Sequence, residues 1–301
     1  MTTSALLGSV SLPLIRQRLF EYAELTKPRL TALVLVTAAA GFWMGMRSMA
    51  QLSWLVPLLF GIALAVGGAN ALNQWSERVP DSLMQRTKRR PLPSGRLHPE
   101  EARRFGLLLS IGGVLCLAVF VNLLTAALTT LSIASYVFFY TPLKRMTPLC
   151  TLVGAIPGAL PPLIGWAGAR AALSIEAWAL FAILFVWQLP HFLAIAMLYR
   201  DDYARAGFQM LPVLDGDGMA TARETVLYGL VLLPVSLFPA FLGLAGWAYF
   251  LSAFLLSTML FLISVRAALR RSMASTRQLF HASVLYLPLL LGVLSLDKIS
   301  R

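Results

Sequence analysis

The chain has 301 residues, 58% of them hydrophobic and only 13% charged. Apolar runs of bilayer-spanning length exclude a soluble globular enzyme and predict an all-α polytopic membrane bundle. The formal net charge of +12 points to membrane topology and not to nucleic acid, because excess Lys and Arg in such a chain collects in the loops kept on the cytoplasmic side.

Taken in order, residues 1–24 read as a cytoplasmic N-terminal segment without a cleavable signal, since a short apolar stretch is broken by Pro13 and by charged side chains. A single membrane-embedded domain is expected from 25 to 301. Hydropathy predicts nine transmembrane helices, at 31–48, 53–73, 105–123, 125–141, 149–167, 175–198, 222–243, 246–265 and 279–296. With the N-terminus in the cytoplasm, that side collects every Lys and Arg except Arg47, Arg170, Lys298 and Arg301, as the positive-inside rule expects. The outer loops are short and the acids lie almost wholly in the cytoplasmic ones, so an active site is expected at the cytoplasmic face. Cys116 and Cys150 are too few for a disulfide framework and read as packing residues. Gly154, Pro157, Gly158, Pro161 and Pro162 in the fifth span permit close helix approach and kinks around a central cavity.

At the start of the first span, Leu25-Thr26-Lys27-Pro28-Arg29 places two cations and a proline at the interface, which reads as a topology anchor. The first informative loop is Asn73–Gly95, NQWSERVPDSLMQRTKRRPLPSG. Asn73 and Glu77 share a helix face, while Pro80 is expected to break the helix just before Asp81. Arg86, Lys88, Arg89, Arg90 and Arg96 follow. Carboxylates able to hold a divalent cation, followed by bases able to hold phosphate oxygens, suit a metal–diphosphate complex, because Mg2+ prefers a few carboxylates plus substrate phosphates.

Three later stretches add to this. Tyr140-Thr141-Pro142-Leu143-Lys144-Arg145 closes the fourth span on the same side, where Lys144 and Arg145 either contact phosphate or mark the boundary. Trp187-Gln188-Leu189-Pro190-His191-Phe192 interrupts the sixth span. Gln188 and His191 are expected to face roughly the same way, into the bundle, with His191 about 12 Å of helix from the cytoplasmic edge. His98 and His281 read as structural. Residues 199–213, YRDDYARAGFQMLPV, then bring Asp201 and Asp202 to the face that carries the first acidic loop.

Together these stretches resemble the intramembrane polyprenyl transferases related to 4-hydroxybenzoate polyprenyltransferase, and most closely their haem O synthase (protohaem IX farnesyltransferase) branch. The matching patterns are L-T-K-P-R, N-x-x-x-E-x-x-x-D-x-x-M-x-R-T-x-x-R-P-L-x-x-G, Y-T-x-x-L-K-R, W-Q-x-P-H-F and D-Y-x-x-A-G-x-x-M-L-P-V, the last with Asp202 on its aspartate. Two departures stand out. Glu77 replaces the usual first aspartate, and Gly207 and Phe208 occupy the region where quinone-type relatives carry a further acid.

The resemblance implies an Mg2+-dependent enzyme of the bacterial inner membrane that transfers the farnesyl group of farnesyl diphosphate to a vinyl group of haem b, giving haem O. It implies Glu77, Asp81 and Asp202 as Mg2+ ligands with Asn73 assisting, and Arg86, Lys88, Arg90, Lys144 and Arg145 on the diphosphate. His191, with Gln188, would face the haem, either orienting the porphyrin or ligating its iron. The lipid bilayer is the medium, and haem A synthase or oxidase assembly factors would receive the product. Trp75, Tyr136, Tyr140 and Trp187 are the aromatics expected near an allylic cation. Two rivals are weighed: a prenyltransferase acting on an aromatic quinone precursor, which the Gln188–His191 signature disfavours, and a transporter of an anionic metabolite, which the gathering of charge at one face disfavours.

Overall fold

A bilayer offers no water to backbone N–H and C=O groups, so each span must satisfy them internally, and the chain does so with helices. The computed structural model describes residues 12–299, within which nine helices are long and apolar enough to cross a membrane. Residues 1–11 of the N-terminal segment and, at the other end, Ser300 and Arg301 lie outside the described residues. A short helix α1 (Leu12–Leu25) precedes the first span α2 (Pro28–Gly45). A 3₁₀ turn (Met49–Trp54) then leads into α3 (Leu55–Ser76), which is followed by a two-turn helix α4 (Arg78–Leu83) and a loop.

The remaining spans are α5 (Pro99–Phe120), α6 (Leu123–Ala134), α8 (Cys150–Arg170), α9 (Ile175–Leu198), α12 (Met219–Phe241), α13 (Trp247–Arg270) and α14 (Met273–Leu296). Span α6 widens into a π-helical turn (Ser135–Tyr140) and ends as α7 (Thr141–Leu143), while α10 (Arg200–Arg205) and α11 (Leu211–Leu214) fill the loop after α9. All nine expected spans are present, the sixth (Ile175–Leu198) at its expected bounds and the others shifted by a few residues. Span α5 starts earlier than hydropathy suggested because the His98 ring caps its first turn by accepting from Glu100 N–H at 3.4 Å.

Without a hydrophobic force between helices in lipid, close packing needs small residues. Gly61, Ala65 and Gly68 of α3 lie against Gly106, Ser110 and Gly113 of α5, where an added Cβ would overlap the facing backbone. Gly41 of α2 meets Pro162 of α8 in the same way, and Gly165 of α8 meets Ala38. The glycines and prolines of α8 are almost all buried, which makes this helix the central post of the bundle. The end of the bundle opposite the acidic loops is tied by cations on helix-terminal carbonyls. Arg170 donates to Gly45 O, and Lys298 Nζ donates to Trp43 O at 2.6 Å and Met46 O at 2.7 Å.

One expectation about the first acidic loop is corrected. The helix break falls at Glu77, whose φ of −92° and ψ of 10° ends α3, and not at Pro80. Pro80 sits in the first turn of α4, where its missing N–H is not required, so Asp81 N–H still reaches Glu77 O at 2.8 Å.

Candidate active site

The acidic and basic loops meet at one end of the bundle. Asn73 and Glu77 stand at the end of α3, one turn apart, and α4 adds a further turn that carries Asp81. All three are buried, Asp81 completely at 0% exposure. A buried carboxylate needs a partner, and each acid here has a cation. Lys144 Nζ, at the end of α7, donates to Glu77 Oε1 at 2.7 Å, and Arg90 donates to Asp81 Oδ2 at 2.8 Å. Asp202, in α10, accepts from Arg205 and from the backbone N–H groups of Gln85 (3.2 Å) and Arg86 (3.3 Å). The second acidic loop therefore latches directly onto the first.

Burial alone would push the Lys144 amine down, but the Glu77 carboxylate more than offsets this and holds it above the usual lysine range. The Lys144 ammonium also lies 4.3 Å from the centre of the Tyr140 ring. Tyr140 and Tyr136 stack at 5.6 Å in the π-helical turn, the kind of local widening that re-aims side chains at functional sites. Room for Tyr140 comes from Gly154 of α8, where a Cβ would sit 2.5 Å from the ring. One turn along, Gly158 makes space for Gln188 of α9, whose amide donates to Leu184 O at 2.8 Å and Ala155 O at 3.4 Å.

A cavity of about 440 Å³ opens at this mouth, lined by Ser76, Glu77, Pro80, Thr141, Pro142, Arg145 and Phe208. Thr141, which no sequence argument singled out, accepts from Asn73 Nδ2 at 3.1 Å and so ties α7 to α3. Lys27 is a second unforeseen member, donating to Asn73 Oδ1 at 3.0 Å. Burial, then the neighbouring Arg90, lowers the Lys27 amine to about 7. The local signal for both was a hydroxyl and a cation beside proline, which is too common to read without the fold.

The remaining expected residues are more dispersed. Arg86 reaches away from the cavity lining, 4.9 Å over the Tyr199 ring and bonded to Tyr203 Oη at 3.3 Å. Lys88 is exposed on the loop. Trp75 packs with Leu25, Tyr22 and Phe105 under Arg78 and Arg103, outside the cavity lining. Gln188 and His191 do not share an environment: Gln188 turns to α8, whereas His191 turns to α14. Three residues along a helix share a face only broadly, about 60° apart, and here the two side chains fall on either side of the boundary between the α8 and α14 contacts.

His191 lies between the Trp187 ring (5.1 Å) and the Phe280 ring (5.4 Å), with Nδ1 2.8 Å from Ser283 Oγ. Ser283 Oγ also lies 2.7 Å from Phe280 O. The bond to Ser283 fixes the plane of the imidazole, and either ring nitrogen can carry its proton.

Among the described residues no three His, Cys, Asp or Glu side chains converge closely enough to hold a metal ion. One observation nevertheless fits a hard divalent cation at Asp81, because its Oδ1 is buried and without a hydrogen-bond partner.

Fold and site thus define a class, a helical membrane bundle with a buried set of paired acids and bases at one end. A model of the UbiA prenyltransferase family matches residues 34–287. The chain is 48% identical over 289 residues to a protein of Solibacter usitatus named protoheme IX farnesyltransferase, covering 92% of this chain and 98% of that one. A protein of the same name from Myxococcus xanthus is 44% identical over 293 residues, with 97% and 98% covered. In structure the chain resembles digeranylgeranylglyceryl phosphate synthase at a TM-score of 0.80 and 14% identity, covering 95% of this chain and 100% of that one. It also resembles a UbiA homologue from Archaeoglobus fulgidus bound to GPP and Mg2+, at 0.65 and 16% identity, with 91% and 99% covered. The chain belongs to the UbiA prenyltransferase family.

Proposed function

We propose that the chain transfers the farnesyl group of farnesyl diphosphate to a vinyl group of haem b, giving haem O, and that it does so in a bacterial inner membrane with the mouth facing the cytoplasm. The observation that carries the acceptor is His191, stacked between two aromatic rings inside the bundle with its ring held by Ser283. Relatives 44–48% identical along nearly the whole chain carry the matching name. Residues 25–301 would form one prenyltransferase domain, and haem A synthase or oxidase assembly factors would take the product.

The ion pairs at the mouth suggest how the chain's own groups work. Glu77, Asp81 and Asp202 are held in reserve by Lys144, Arg90 and Arg205. Arrival of a diphosphate lets the partners exchange: the cations turn to phosphate oxygens and the carboxylates are freed for Mg2+, with Asn73 assisting. When bound, Mg2+ supplies Lewis-acid neutralisation of the departing diphosphate. The C1–O bond breaks and its electron pair leaves with the diphosphate, to which Lys144, Arg90 and Arg145 offer opposite charge. Lys88 and a released Arg86 can reach the outer oxygens. The Tyr136–Tyr140 stack presents ring faces to the allylic cation. The vinyl π electrons form the new C–C bond, and water then closes the resulting cation as a hydroxyl with loss of a proton.

Binding of haem b to the purified protein tests the acceptor. A Soret band distinct from free haem should appear with the native chain and weaken about tenfold or more in affinity for His191→Ala, while farnesyl thiodiphosphate binding stays unchanged. Equal haem affinity in the two proteins would remove His191 from the acceptor site.

A further inference from the structure

We infer that Lys27 is a diphosphate-binding residue, aimed into the mouth by a strained turn that three amide side chains of α3 hold in place. Its backbone is in the left-handed region at φ 49°, ψ 64°, a conformation costly for a residue with a Cβ and the more unusual directly before Pro28. Strain of this kind persists only where surrounding contacts over-determine it.

Those contacts are present. Gln74 Nε2 donates to Leu25 O at 2.9 Å, and Asn70 Nδ2 donates to Thr26 O at 3.2 Å. Asn73 Oδ1 then receives the Lys27 ammonium itself at 3.0 Å. Thr26 and Thr31 close the turn, through Thr26 Oγ1 to Ala23 O at 2.8 Å and Thr31 Oγ1 to Thr26 O at 2.8 Å. An ammonium that merely marked the membrane boundary would extend into water, as its exposed neighbour Arg29 does. Lys27 instead folds back onto the residue that also binds Thr141 of the cavity lining, one helical turn from Glu77. Among the described residues its one hydrogen bond to a side chain is to a neutral amide, whereas Lys144 and Arg90 each pair with a carboxylate. Lys27 therefore has no carboxylate partner to give up when an anion arrives. Asn70 and Gln74 are positioning residues, acting through the turn.

This inference rests on the reading of the mouth as a diphosphate site, and the test separates the two. Binding of farnesyl thiodiphosphate with Mg2+ is measured by calorimetry on the full-length protein in detergent. Lys27→Met should weaken it about 10- to 100-fold, Lys27→Arg should recover part of the loss, and Arg29→Met should bind as the native chain does. Because Lys27→Met risks misfolding, the native protein is also labelled with an amine-reactive reagent, with and without the thiodiphosphate, and read by peptide mass analysis. Protection of Lys27 with no change at Lys298, at the opposite end of the bundle, is the expected result. Thiodiphosphate binding that leaves Lys27 labelling unchanged overturns the inference alone. No binding by the native protein overturns the diphosphate reading and this inference with it.

Discussion

At the scale of single residues, the buried carboxylates carry the sharpest predictions. Asp81 is the most exacting, with one oxygen on Arg90 and the other buried and unpartnered. Asp81→Asn keeps the size and the capacity to accept from Arg90 but removes the charge. Turnover should fall by roughly 10²–10³-fold or more, with the protein still inserted and eluting as a single species. Near-native turnover would show that Asp81 holds no metal. The Lys144–Glu77 pair predicts a different effect, because removing one partner of a buried ion pair strands the other. Lys144→Met should cost roughly 3–5 kcal/mol of stability in addition to its effect on activity, read as a lower unfolding midpoint in detergent.

Lys27 adds a pH dependence with a definite sign. Its amine titrates near 7 in the folded chain against 10.5 ordinarily, so between these values the unfolded chain binds more protons. The cost of burying that amine is therefore fully present below about 7 and is relieved as pH climbs from 7 towards 10.5. The unfolding midpoint of the native chain relative to Lys27→Met should rise from pH 6 to pH 9, and parallel curves would contradict the burial of that amine. None of this was readable from Lys-Pro alone. A cation beside the first span looks like a boundary marker until Asn70, Asn73 and Gln74 are seen gripping the turn around it.

At the scale of elements, Gly and Pro in α8 were legible as a place of close approach, but not which side chains needed the room. Gly154 admits Tyr140 and Gly158 admits Gln188, so one helix face makes room both for the ring beside Lys144 and for the amide one turn along. Gly158→Ala overpacks the Gln188 contact. About 1–3 kcal/mol of destabilisation is expected, and it should be relieved in the double variant Gly158→Ala, Gln188→Ala. No relief would mean that the glycine serves the backbone alone. Gln188 and His191 also show how a motif misleads at this scale: adjacent in the signature, they divide between α8 and α14 because α9 packs between those two helices. The break in the first acidic helix moved for a similarly local reason, since proline in a first turn gives up nothing.

Across the whole molecule, hydropathy alone revealed the nine spans among the described residues, because a bilayer leaves a chain few alternatives. What it left open was convergence. The meeting of the two acidic loops depends on Asp202 capping the N–H groups of Gln85 and Arg86, a contact across 117 and 116 residues of chain. The two ends of the bundle also divide their labour. Lys144, Arg90 and Arg205 at the mouth pair with acids, whereas Arg170 and Lys298 at the far end bind carbonyls at the end of α2. Lys298→Met should therefore lower the unfolding midpoint by a few degrees, about 2–4 °C per kcal/mol lost, and leave the KM for both substrates unchanged. A raised KM would place the far end within reach of the reaction.

The most direct test is turnover by the purified protein in detergent with haem b, farnesyl diphosphate and Mg2+, followed by mass analysis of the extracted haem. A haem in which one vinyl has become a hydroxyethylfarnesyl group, its formation abolished by a chelator and restored by added Mg2+, is the predicted result. Unmodified haem from a well-folded preparation that instead prenylates 4-hydroxybenzoate or a naphthoate would contradict the assignment of the acceptor.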